Sequence, residues 1–220
     1  MRDTLDFDLF AQTFAAQGWL VLQPNFRGSG GFGQAFADAG RKHWGDLMQQ
    51  DVEDAVAQVL ATGRVSPGKV AIFGASYGGY AALMGAVRKP DLYRAVVSIA
   101  GDCDLMETLA FSRTQDGAES AAYAYWTATI GDPRTDQAML EAASPARFAD
   151  RIKAPVLLIH GAKDTIVDPR QSKIMAAALK RAGKPYDYLE MPKIGHRDWK
   201  EADLKLVLNR SVAHLKAGFA

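Results

Sequence analysis

The sequence has 220 residues, which is enough for one domain with a substantial buried core. Its 26 basic and 25 acidic side chains leave a formal net charge of +1, which gives no electrostatic reason to expect nucleic acid or an anionic membrane as a partner. The single Cys103 excludes an internal disulfide and a cysteine-based metal site.

Neither a membrane span nor a secretory signal is predicted. No apolar run approaches the roughly 20 residues that cross a bilayer, and the first residues, MRDTLD, are too polar and too acidic for a signal peptide. We therefore expect a soluble protein, with the cytoplasm favoured as its compartment. The periplasm stays open as an alternative, in case a signal sequence precedes Met1.

Short apolar runs alternate with helical patterns along most of the chain. Strands that alternate with helices of ten or more residues indicate parallel crossovers, so we predict an α/β fold with a mostly parallel sheet and helices on both faces. The predicted order is helix 7–17, strand 19–24, helix 46–62, strand 69–73, helix 76–88, strand 94–99, strand 155–160, helix 169–182, strand 186–191 and helix 199–217.

Between residues 101 and 149 the alternation breaks down. This stretch contains aromatic residues, glycine and proline, with short helical patterns and no clear strand. An insertion at the carboxyl end of a strand lies over the edge where α/β sheets bind their ligands. We therefore interpret 101–149 as a lid or substrate pocket within a single domain that covers residues 1–220.

Residues 74–78, GASYG, match the G-x-S-x-G pattern of a nucleophile elbow between strand 69–73 and helix 76–88. A serine at this sharp turn raises its hydroxyl above the sheet, so Ser76 is the candidate nucleophile. The backbone N–H of Tyr77, at the start of the helix, is the natural first donor of an oxyanion hole. The alternative is an ordinary strand-to-helix turn with small residues for close packing.

A serine nucleophile needs a base and an orienting acid, which follow in the order Ser, Asp or Glu, His in an α/β-hydrolase fold. Of the four histidines, His196 lies in a loop after strand 186–191, where an imidazole can reach the carboxyl edge of the sheet. Asp164 follows strand 155–160 and is the preferred acid. Asp168 is its competitor, but it precedes Pro169 and a helix, which is typical of an N-cap.

A second glycine motif, residues 28–33 (GSGGFG), fits the dinucleotide-binding pattern G-x-G-x-x-G. No acidic residue ends a second strand about 20 residues further on, because helix 46–62 occupies that region. We therefore interpret this loop as part of a cleft wall, not as a nucleotide site.

The sequence resembles the catalytic domain of the prolyl oligopeptidase family, serine peptidases that include dipeptidyl and acylaminoacyl peptidases. The resemblance implies Ser76, Asp164 and His196 as a catalytic triad, with Tyr125 and Trp126 lining the pocket for the residue before the scissile bond. It implies no metal or organic cofactor. The similar stretches, in family order, are 23–29 (QPNFRGS), 74–80 (GASYGGY), 130–133 (IGDP), 144–145 (SP), 154–161 (APVLLIHG), 171–172 (QS) and 178–185 (ALKRAGKP).

Two features of that family have no counterpart in this sequence. Its members carry a β-propeller before the catalytic domain, and a His-Gly-Gly-Pro-like segment on a strand that supplies a second oxyanion donor. We therefore expect a catalytic domain that is incomplete at its N-terminus and lacks its first strands. One absent strand belongs between strands 19–24 and 69–73. An upstream segment or propeller domain is the expected partner.

Three functions are compatible with these residues. The first is a serine peptidase that hydrolyses short peptides through an acyl-enzyme on Ser76. The second is a carboxylesterase with the same triad, since the elbow does not distinguish an ester from an amide. The third is a catalytically impaired or silent domain kept for binding.

Overall fold

A parallel sheet lies at the centre of residues 2–4, 6–197 and 199–220, the part of the chain that the computed structural model describes. Within these residues it has four strands in the order β1-β2-β3-β4, and all three pairings are parallel. The carboxyl ends of the strands therefore meet at one edge. The strands are β1 (Val70–Ala75), β2 (Tyr93–Ile99), β3 (Val156–Gly161) and β4 (Tyr186–Met191).

Helices cover both faces of the sheet. The helices are α1 (Leu9–Ala15), α2 (Gln34–Asp38), α3 (Leu47–Ala61), α4 (Tyr77–Arg88), α5 (Leu105–Asp116), α6 (Ala121–Thr129), α7 (Gln137–Ala142), α8 (Arg170–Arg181) and α9 (Glu201–Phe219), with a 3₁₀ helix at Pro145–Arg151. Helices α4 and α8 pack on one face, and α1 and α9 pack on the other.

The two halves of the core follow the two-residue period of the strands. Val96 and Leu158 face the cluster that contains α4 and α8, whereas their neighbours Val97 and Ile159 face the cluster on the side of α1 and α9. All four side chains have no exposed surface. Strands that are apolar on both faces are typical of a sheet covered by helices on both sides.

The predicted elements lie within two residues of the observed bounds, with one exception. Residues 19–24 were predicted as a buried strand, and this prediction is wrong: the segment has no strand pairing in the described structure. Leu20 and Leu22 are 45% and 39% exposed. Helix α2 was not predicted.

Residues 19–24 line a large cleft beside the sheet. The cleft has a volume of about 1980 Å³ and is lined on one side by residues 18–26 and on the other by β1. A strand needs a neighbour about 4.8 Å away for its hydrogen bonds, and the cleft separates this segment from β1. Among the described residues, β1 is therefore an edge of the sheet. The cleft lies where the sequence predicted an absent strand.

The segment 101–149, all of it described, contains helices α5, α6 and α7 and no strand. It follows β2 directly, so it begins at the carboxyl edge of the sheet. No helix in the described part of the chain has the length and apolar character that crossing a membrane requires.

Candidate active site

Ser76 occupies a strained turn between β1 and α4. Its φ is 56° and its ψ is −123°, a backbone conformation that residues with a side chain rarely adopt. The turn is held by a hydrogen bond from the Ser76 N–H to the Ile99 carbonyl, 2.8 Å long, at the end of β2. A side chain at Gly74 would place its Cβ 2.1 Å from the Gly78 carbonyl oxygen, so glycine is required there. At Gly78 itself a Cβ would meet no atom within 4 Å.

Three side chains form a continuous hydrogen-bond chain at the carboxyl edge of the sheet. His196 Nδ1 lies 2.7 Å from Asp164 Oδ2, and His196 Nε2 lies 3.0 Å from Ser76 Oγ. Because a carboxylate can only accept, Nδ1 carries the proton and Nε2 is left as the acceptor for the serine hydroxyl. The geometry thus presents Ser76 with a base in the tautomer that can take its proton.

The carboxylate of Asp164 is fully buried and has partners on both oxygens. Oδ1 accepts hydrogen bonds from the backbone N–H groups of Ile166, at 2.8 Å, and Val167, at 2.9 Å. Burial by itself raises the pKa of this carboxyl, but the His160 and His196 rings and the two N–H groups outweigh it and hold the pKa well below its usual value. Asp164 therefore carries its negative charge in the folded protein.

The other candidates for the acid and the base have different partners. Asp168 accepts a hydrogen bond from the N–H of Arg170, the first residue of α8, so it stabilises the start of that helix. His43 is paired with an exposed aspartate three residues further on. His214, on α9, donates to the Pro155 carbonyl at 3.1 Å.

The Tyr77 N–H, the predicted oxyanion donor, stands at the start of α4. Within the residues that the structure describes, it has no hydrogen-bond acceptor, whereas the N–H groups of Gly79 and Tyr80 both donate to the Ser76 carbonyl. An N–H at the start of a helix lies in the positive field of the helix dipole. It is therefore free to bind an anionic oxygen next to Ser76.

Tyr125 and Trp126, the predicted pocket residues, lie on α6 and line the same cleft as Ser76 and His196. Their rings are in edge-to-face contact at 5.1 Å between centroids. Tyr125 is 54% exposed, whereas Trp126 is partly buried against the core. The aromatic pair therefore offers an apolar surface on the cleft wall.

The glycine loop at residues 28–33 lies at the same cleft, because Gly28 and Ser29 line it. A Cβ at Gly40 would come within 2.6 Å of Gly28 Cα, so the two backbones touch. This close contact accounts for glycine at position 40, and the positive φ of 94° accounts for glycine at position 28. The loop is part of the cleft wall, as predicted.

Asp102, which the sequence analysis did not identify, also lines the cleft. It is only 6% exposed, and the Thr108 hydroxyl donates to its Oδ1 at 2.8 Å. Burial raises the pKa of this carboxyl, although the bond from Thr108 opposes that effect. Its position directly after β2, at the same sheet edge as Asp164, was the signal that could have identified it. No group of three or more metal-binding side chains occurs among the residues described.

The parallel sheet, its helical layers and the serine elbow define an α/β-hydrolase domain. The family model of the prolyl oligopeptidase family matches residues 5–218. Dipeptidyl aminopeptidase BIII of Pseudoxanthomonas mexicana is 36% identical over 204 residues, and acylamino-acid-releasing enzyme of Sus scrofa is 31% identical over 192 residues. The chain belongs to the prolyl oligopeptidase family.

The matches cover most of this chain but a small part of each relative. The alignments span 89% and 86% of this chain, but only 28% of the Pseudoxanthomonas protein and 26% of the porcine protein. A puromycin-hydrolyzing peptidase of Mycobacterium tuberculosis superposes with a TM-score of 0.80 at 30% identity, covering 89% of this chain and 29% of that one. Pyrococcus horikoshii acylaminoacyl peptidase gives 0.74 at 27% identity, covering 84% and 30%.

Proposed function

We propose that this chain carries the catalytic site of a serine peptidase that cleaves short peptides through an acyl-enzyme on Ser76. The observation that carries this proposal is the hydrogen-bond chain from Ser76 through His196 to Asp164, with distances of 3.0 and 2.7 Å. Relatives named dipeptidyl aminopeptidase and acylamino-acid-releasing enzyme support amide substrates.

In the first half of the reaction, Ser76 Oγ bonds to the substrate carbonyl carbon as its proton passes to His196 Nε2. The carbonyl oxygen becomes negative and accepts a hydrogen bond from the Tyr77 N–H. The imidazolium then gives the proton to the leaving nitrogen, the C–N bond breaks, and an ester on Ser76 remains. The buried charge of Asp164 stabilises the imidazolium throughout.

In the second half, water attacks the ester carbonyl and His196 takes the proton of the water. The same proton returns to Ser76 Oγ when the C–O bond of the ester breaks. The acid product is released and the free serine is restored. All protons and electrons are accounted for. The triad completes this cycle without a metal or organic cofactor.

We further propose that the 101–149 segment is a lid and that Tyr125 and Trp126 contact the residue before the cleaved bond. Both side chains line the cleft that contains Ser76, which supports this assignment. The second oxyanion donor expected from the family resemblance has no counterpart in the sequence, because no His-Gly-Gly-Pro-like segment occurs in it. Loss of one such donor lowers kcat by about 10²–10³-fold. We propose that an upstream segment supplies the donor in the complete protein.

A substrate panel distinguishes this proposal from a carboxylesterase. Dipeptidyl and N-acetyl-aminoacyl nitroanilides test for amide cleavage, and short p-nitrophenyl esters test for ester cleavage. We expect turnover of nitroanilides that Ser76→Ala abolishes. Turnover of esters alone indicates the esterase, and a protein that cleaves neither and does not react with a fluorophosphonate indicates a silent domain.

A further inference from the structure

His160 lies directly below the proposed catalytic acid. It is on β3, on the strand face that packs against α8, and it has no exposed surface. Its Nδ1 lies 2.7 Å from the hydroxyl oxygen of Ser172 on α8. On the other side of the ring, Nε2 lies 3.1 Å from the Val167 carbonyl oxygen and 3.4 Å from Asp164 Oδ2.

These partners fix the orientation of the His160 ring. Since a carbonyl oxygen can only accept, the proton of the neutral ring is on Nε2, and Nδ1 accepts the hydrogen bond from Ser172. The Nε2–H group then donates to Val167 O, and Asp164 Oδ2 lies 3.4 Å from the same nitrogen. With the opposite tautomer, a lone pair on Nε2 would face these two oxygens, which is unfavourable for all three atoms.

Asp164 is thus held from two sides. The N–H of Val167 donates to Oδ1 of Asp164 at 2.9 Å, while the carbonyl of the same residue accepts from His160. Oδ2 of Asp164 lies between two imidazoles, with His196 Nδ1 at 2.7 Å and His160 Nε2 at 3.4 Å. The loop that carries the acid is therefore tied through His160 and Ser172 to α8.

We propose that His160, held in its Nε2–H tautomer by the Val167 carbonyl and anchored at Nδ1 by Ser172, is a positioning residue that holds the Asp164 carboxylate in line with His196. The proposal rests on the function proposed above, because it assigns a role within the same site. Neither His160 nor Ser172 touches the substrate. Their effect reaches Ser76 only through Asp164 and His196.

The carboxylates around His160 come from three parts of the chain. Asp164 lies on the loop after β3, Asp102 follows β2, and Glu190 is on β4, where it is paired with Lys173 of α8 at 2.8 Å. Of these three carboxylates, Asp164 is the one in contact with Nε2. The ring is therefore a specific neighbour of the proposed catalytic acid.

The chain offers a matched control for the test. Ser172 and Ser211 are both buried, with 1% and 0% of their surface exposed. The Ser172 hydroxyl contacts His160, whereas the Ser211 hydroxyl, on α9, has no hydrogen-bond partner among the described residues. Ser172→Ala and Ser211→Ala therefore remove the same atoms from equally buried sites. Ser172→Ala is the change that removes a contact linked to Asp164 through His160.

The test combines steady-state kinetics with proton NMR in the complete protein as it is expressed. We expect Ser172→Ala to lower kcat about 10-fold and His160→Leu about 100-fold with KM unchanged, because a displacement of the order of 1 Å in a catalytic group can cost about 100-fold in rate. His160→Gln, which keeps an N–H donor, should recover part of the loss. The low-field proton resonance of the His196–Asp164 hydrogen bond should shift in Ser172→Ala and stay unchanged in Ser211→Ala.

Failure of this proposal differs from failure of the proposed function. If wild-type turnover is normal, and Ser172→Ala matches Ser211→Ala in both kcat and the low-field resonance, the positioning role is wrong although the peptidase assignment stands. If the protein has no serine-dependent turnover, the peptidase assignment fails, and the resonance alone decides whether His160 and Ser172 control the geometry of Asp164.

Discussion

At the scale of single residues, two aspartates of the loop after β3 differ in their contacts, although they are four positions apart in the sequence. Asp164 contacts His196, whereas Asp168 contacts the first N–H of α8. Asp164→Asn keeps the size of the side chain but removes the charge that fixes the tautomer of His196. We expect kcat to fall by about 10⁴-fold, the order known for the equivalent change in a serine-protease triad.

Asp168→Asn is the matched control for that variant. Asparagine caps helices about as well as aspartate does, so we expect kcat within about twofold of the wild type and an unchanged melting temperature. Steady-state kinetics on one nitroanilide substrate compare the two variants. A large loss of kcat in Asp168→Asn with none in Asp164→Asn would falsify the assignment of the acid.

The lowered pKa of Asp164 also predicts how stability depends on pH. A carboxyl whose pKa is lower in the folded than in the unfolded state, where it is about 3.9, contributes stability that is fully present above that value. This contribution is lost as pH falls toward the folded pKa. Urea unfolding of the wild type and Asp164→Asn should therefore show a stability difference that shrinks as pH falls below about 4. A difference that grows below about pH 4 contradicts this.

A residue of the site is predictable from the sequence where its role has a local signature. Ser76 has one in the surrounding glycines, and His196 and Asp164 follow from chain order and from their place after strands. His160 lies within an apolar strand, and the apolar pattern indicates only that the residue is buried. Its contact with Ser172 joins two elements across the core, and no spacing in the sequence encodes it.

At the scale of elements, the turn from β1 to α4 depends on one glycine more than on the other. A Cβ at Gly74 would lie 2.1 Å from the Gly78 carbonyl oxygen, a backbone atom that cannot move without opening the turn. We expect Gly74→Ala to destabilise the protein by about 3 kcal/mol, at the upper end of the range for overpacking.

Gly78→Ala provides the comparison, since its Cβ would enter open space on the first turn of α4. Its stability should stay within about 1 kcal/mol of the wild type, with helix propensity acting in its favour. Chemical denaturation of both variants measures the difference. Equal destabilisation by the two substitutions would show that the close approach at Gly74 does not control the turn.

The one strand that was predicted wrongly, at residues 19–24, is also explained at the scale of elements. The apolar run at residues 19–24 ends at Pro24 and has the composition of a buried strand, but a strand exists only where a second segment accepts and donates its hydrogen bonds. The cleft beside β1 lies where that neighbour would be. By contrast, β2 and β3 each have a partner on both sides, and their positions were predicted within two residues.

At the scale of the whole molecule, the parallel sheet assembles the site from distant parts of the chain. Ser76 and His196 are 120 positions apart in sequence, and Asp164 and His196 are 32 apart. Each residue follows a strand, and the carboxyl ends of β1, β3 and β4 meet at one edge of the sheet. Parallel pairing is thus the physical reason that three separate loops deliver one hydrogen-bond chain.

The central claim is that this convergence makes Ser76 a nucleophile. Labelling with a fluorophosphonate, followed by proteolysis and mass spectrometry of the adduct, tests it directly. The account predicts one stoichiometric adduct on Ser76 that is absent in Ser76→Ala and forms far more slowly in His196→Ala. An adduct on a different serine, or peptide hydrolysis by a protein whose Ser76 remains unlabelled, would contradict it.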